Sequence, residues 1–67
     1  MKTENLTKAF HAAQFAVNDI RAAHADAISA DNQFAEIVLL DILEMAIAME
    51  SKLICALYAA KPHDARE

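Results

Sequence analysis

Between Phe34 and Ala60 almost every position of the chain is apolar, with Asp41, Glu44, Glu50 and Lys52 interrupting the run. Within it Ala35, Leu39, Ile42, Ala46, Met49, Leu53, Ala56 and Ala60 follow alternating steps of four and three residues without a polar member, the spacing of a helix-bundle seam. Phe34, Val38 and Met45 flank that seam on one side, and Leu43, Ile47, Ile54 and Leu57 flank it on the other. The pattern predicts a helix that is apolar over more than one stripe, and a single neighbouring helix cannot cover both flanks.

The first half of the chain is patterned differently. Leu6, Ala9, Phe10, Ala13, Ala16, Val17, Ile20, Ala23, Ala27 and Ile28 recur at three and four residues and define one face, opposite His11, Gln14, Asn18, Arg21 and Asp26. This is an ordinary amphipathic helix, with Thr3 or Asn5 as its expected cap. The face pauses at Ser29, Ala30, Asp31, Asn32 and Gln33, where polar residues offer several caps but no glycine marks a turn. A short connection there folds the chain into an antiparallel pair; the structural alternative is one continuous helix. Pro62, which restricts Lys61 and lacks a donor, predicts that the second helix stops near Ala60.

The expected organisation is one domain over 1–67, with a first helix at about 5–28, a turn at about 29–32, a second helix at about 33–60 and a flexible tail at 61–67. The fold class is all-α: an antiparallel helical hairpin that dimerises into a four-helix bundle. Leaving four large aliphatic side chains in water forgoes about 1.5 to 3 kcal/mol each. Total stability is only about 5 to 15 kcal/mol. The expected partner is therefore a second copy, through an interface of Val38, Leu39, Ile42, Leu43, Met45, Ala46, Met49, Leu53, Ile54 and Leu57.

Composition supports this picture and narrows the chemistry. Sixty-seven residues make a small core, which in domains of this size is commonly reinforced by disulfides, metal or self-association. The single cysteine, Cys55, excludes an intrachain disulfide, and no cysteine and histidine cluster has zinc-site spacing. No cofactor or metal site is expected. Glycine is absent, and the chain is rich in alanine, the strongest helix former. The net charge of -4 and the scatter of Lys2, Lys8, Arg21, Lys52, Lys61 and Arg66 disfavour binding to nucleic acid phosphates or anionic membranes. Asp41, Glu44 and Glu50 argue against a membrane span, and the polar start of the chain lacks the apolar run of a secretion signal. A cytoplasmic setting, in keeping with a free thiol, is the expectation.

Few residues invite a chemical role. His24 is the only imidazole on an apolar face, one turn from Ile20, Ala27 and Ile28. Asp41 and Glu44 lie three residues apart, but the carboxylate-bundle metal pattern needs a Glu-x-x-His step that this chain does not contain. His11 has no carboxylate at four residues, and His63, four residues before Glu67, falls in the expected tail rather than on a helix face. Met45 and Met49 make an adaptable apolar strip. Phe15 interrupts the polar side of the first helix and, with Asp41 and Glu44, is a candidate partner surface. Tyr58 suits the rim of an interface, and nothing beside Cys55 activates its thiol.

No phosphate loop, metal motif or nucleophile and base pair is present, so the chain is not expected to be an enzyme. The expected function is that of a small homo-oligomeric adaptor or regulatory protein acting through protein–protein association. The alternative is a dimeric helical-bundle regulator of RNA or DNA. In length and expected architecture the chain is similar to the small plasmid-encoded RNA-binding bundle proteins of the Rop type. That resemblance is architectural: no residue motif, aromatic stacking pair or basic stripe is shared, and no functional residue carries over.

Overall fold

A computed structural model of the chain describes residues 2–60. It contains two helices, α1 (Glu4–Ser29) and α2 (Gln33–Ala60), which pack against each other as an antiparallel hairpin measuring 54 × 15 × 14 Å. The expected stop at Lys61 and Pro62 and the expected flexible tail lie outside the described residues.

The break between the helices is made by residues rather than by glycine. Asp31 takes a left-handed backbone conformation (φ 57°), the position that glycine usually fills after a helix. Its amide donates to the carbonyl of Ile28 at 3.0 Å, and the amide of Asn32 reaches back to the carbonyl of Ala27 at 3.0 Å. These two bonds satisfy carbonyls that the helix end would otherwise leave open, the paired pattern that closes many helices. Asn32 then opens α2: its side-chain oxygen accepts from the amide of Ala35 at 3.1 Å, and its carbonyl accepts from Glu36. The continuous-helix alternative is thereby excluded. At the other end Thr3 occupies the cap position of α1, but its side chain makes no capping bond, and Asn5 lies inside the helix.

The hairpin closes along a seam one position away from the uninterrupted one. From α1 the inward residues are Leu6, Phe10, Ala13, Val17, Ile20, His24 and Ala27, all buried or half-buried. From α2 they are Leu39, Leu43, Ala46, Glu50, Leu53 and Leu57. Ile42, Met49 and Ala56, read as seam positions in the sequence, are exposed, while Leu43 and Leu57, read as a flank, turn inward. The physical reason is the size of the side chains. The two seams share Ala35, Leu39, Ala46, Leu53 and Ala60 and differ in Leu43, Glu50 and Leu57 against Ile42, Met49 and Ala56, so the observed one exchanges the small Ala56 for Leu57 and sets four leucines towards α1. Two half-buried carboxylates, Glu36 and Glu50, accompany the choice, both on the row of Leu43 and Leu57.

The resulting core is thin. Ala13, Val17, Ala27 and Ala46 are the buried hydrophobic residues, and three of them are alanines that let the two backbones come close. Such a core leaves most of the large side chains of α2 with at least one side in water.

Candidate functional site

Each helix of an antiparallel pair has an inward stripe, an outward stripe and two flanks, and the same flank of both helices forms one broad face of the hairpin. Two shallow grooves identify the first of these faces. One is lined by Gln14, Phe15, Val17, Asn18, Arg21 and Glu50, the other by Thr7, Phe10, His11, Ile54, Leu57 and Tyr58. Here α1 contributes polar side chains, and His11 is held by a 3.2 Å contact between its Nδ1 and Oε1 of Gln14. Leu40, Ile47, Ile54 and Tyr58 of α2 lie along the same flank and are themselves exposed, so the two faces differ in what α1 places beside them rather than in the exposure of α2.

The opposite face has no polar row. On α1 it carries Ala9, Ala16 and Ala23 at successive seven-residue intervals. Beside them on α2 run Val38, Ile42, Met45 and Met49 at steps of four and three, and the same row continues through the charged Lys52 to Ala56, all of them exposed. Met45 is 59% exposed and Phe34, at the head of the row, is 79% exposed. A shallow apolar groove lined by Met45, Ala48, Met49, Lys52 and Leu53 opens on this side.

The sequence-derived interface residues are thus divided by the fold. Leu39, Leu43, Ala46, Leu53 and Leu57 are partly or wholly covered within the hairpin, whereas Val38, Ile42, Met45, Met49 and Ile54 remain exposed. Phe15, 68% exposed, points outward from α1, and Asp41 and Glu44 are exposed on the far side of α2, so the fold does not gather these three into one patch. Ile37 and Leu40, both exposed, were not singled out by the periodicity, although their three-residue spacing ahead of Ile47 already marks a second apolar stripe.

His24 faces inward, as its spacing predicts. Its Nε2 is buried and has no hydrogen-bond partner. Cys55 is a free, exposed thiol. Among the described residues no group of three or more His, Cys, Asp or Glu side chains is placed to hold a metal ion. Among the described residues no helix is long and apolar enough to cross a membrane.

Nothing among protein-family models, curated proteins or solved structures matches this chain. The feature that sets these surfaces apart is asymmetry: one broad face is mixed, and the other is apolar along both helices.

Proposed function

We propose that this chain is a non-enzymatic association module, a helical hairpin that pairs with itself and serves as an adaptor or regulatory protein in a reducing, cytoplasmic setting. The observation that carries the reading is the continuous exposure of Phe34, Val38, Ile42, Met45 and Met49 along one flank of α2. An apolar row of this length is costly to leave in water, and covering it is the strongest driving force that the molecule offers.

The mixed face, with Leu40, Ile47 and Ile54 beside Gln14, Asn18 and Arg21, would remain available to another protein after self-pairing.

Sedimentation equilibrium at micromolar concentration tests the proposal. The expected particle contains two chains of 7.3 kDa. A folded hairpin that stays at the mass of one chain throughout the micromolar range would overturn it.

A further inference from the structure

The self-association proposed above leaves open how two copies would meet, and two arrangements on the apolar face are compatible with two-fold symmetry. In one, the connecting turns lie at opposite ends, so α2 packs antiparallel on the partner's α2 and α1 on the partner's α1. In the other, the turns lie at the same end, and α2 packs on the partner's α1. From the charges along the rims and from one groove on α2, we infer that the chain forms the first: a dimer with its turns at opposite ends, crossing near Met45 and Met49.

The rim charges discriminate between the two. Asp41 and Lys52 are eleven residues apart, three turns of helix, and therefore share one edge of the apolar row. Lys8 and Asp26 are eighteen residues apart, five turns, and share the corresponding edge of α1. When two copies of α2 run antiparallel with their centres at residue 47, Asp41 lies beside the partner's Lys52 and Lys52 beside the partner's Asp41. On α1, centred at Ala16, Lys8 lies near the partner's Asp26. Opposite charges meet on both edges.

With the turns together, the signs reverse. Phe10 and Ile54 line one groove across the two helices, so Asp41 would lie level with the stretch of the partner's α1 between its acidic residues. It would be set between the partner's Asp19 and the partner's Asp26. Lys52 would approach the partner's Lys8. Like charges facing each other across a rim select against that arrangement.

The groove on α2 supplies the second argument. Met45, Ala48, Met49 and Lys52 stand at i, i+3, i+4 and i+7, the four corners of the hole that receives a side-chain knob from a facing helix. Small Ala48 keeps the hole open. In an antiparallel pair centred at residue 47, the side chain that arrives there is the partner's Met45. The same register places Val38 opposite the partner's Ala56 and exposed Phe34 opposite the partner's Ala60. It also requires the two copies of α1 to approach at their own centre. The alanine row Ala9, Ala16 and Ala23 is centred on Ala16, which stands level with the Ile47 and Ala48 stretch of α2, so both pairs of helices cross at one height.

Charge reversal and cysteine pairing test the arrangement in the full chain. Asp41→Lys is expected to raise the dimer Kd by about threefold to tenfold, as loss of two exposed symmetric pairs requires. Adding Lys52→Asp should restore it. In a Cys55→Ser background, an equimolar mixture of Val38→Cys and Ala56→Cys chains should form a disulfide-linked dimer, while Val38→Cys alone should not, its two copies being about 27 Å apart along the axis. Circular dichroism checks that each variant keeps its helices. Tighter pairing by Asp41→Lys, or a bond between Val38→Cys and Ala23→Cys chains, would identify the arrangement with the turns together and overturn the inference. A bond between Leu40→Cys and Ile54→Cys chains would place the interface on the mixed face and do the same. In either case self-association would stand; a wild-type chain that never dimerises would instead remove both proposals.

Discussion

Asn32 accepts a hydrogen bond on its side-chain oxygen from the amide of Ala35, at 3.1 Å, while its own amide is bound to α1 through Ala27. One residue therefore ends the first helix and starts the second. Asn32→Ala keeps the amide bond but removes the cap, and should lower stability by about 1 kcal/mol. Urea unfolding followed by circular dichroism would measure it, with Asn32→Asp as the variant that retains the cap.

Asp31 provides the complementary prediction. Its positive φ is tolerated by a short polar side chain but is freely available only to glycine. Asp31→Gly should stabilise the hairpin by about 0.5 kcal/mol, the relieved strain being offset in part by a more flexible unfolded chain. Asp31→Val, branched at Cβ, should destabilise it by at least about 1 kcal/mol. Equal thermal midpoints for the two variants would contradict the role assigned to this residue.

Periodicity made both helices and their antiparallel pairing legible, because three- and four-residue recurrence has few other solutions in a chain without glycine. It did not identify the seam of α2, and the reason lies in the residues themselves. Apolar positions cover so much of that helix that two overlapping heptad patterns fit, one through Ile42 and Met49 and one through Leu43 and Glu50. Treating the carboxylate as disqualifying favoured the first, whereas the packing of leucine on alanine decides for the second. The mechanism of the turn was not legible, since an aspartate in a left-handed conformation leaves no mark in the sequence that distinguishes it from a polar helical residue.

His24 occupies an inward position where a leucine would continue the pattern of Phe10, Val17 and Ile20. With Nε2 buried and unpartnered, the imidazole leaves a polar atom without compensation for its lost water. His24→Leu should therefore raise stability by about 1 to 2 kcal/mol, read as an increased urea midpoint with unchanged slope. A loss of stability would mean that the imidazole makes a bond in solution that the hairpin alone does not supply.

The apolar face yields the prediction that separates a lone hairpin from a pair. In a lone hairpin Met45 and Ile37 are equivalent: both are more than half exposed, and replacing either with glutamate should cost little. In the proposed dimer they differ, because Met45 enters the crossing while Ile37 points away from both neighbours. The wild-type thermal midpoint should then rise with protein concentration, since association stabilises the folded state by mass action. Met45→Glu should lower that midpoint and remove its concentration dependence, whereas Ile37→Glu should leave both as they are. If the two substitutions behave alike, Met45 has no partner and the flank between Phe34 and Ala56 is solvent-facing in the working protein.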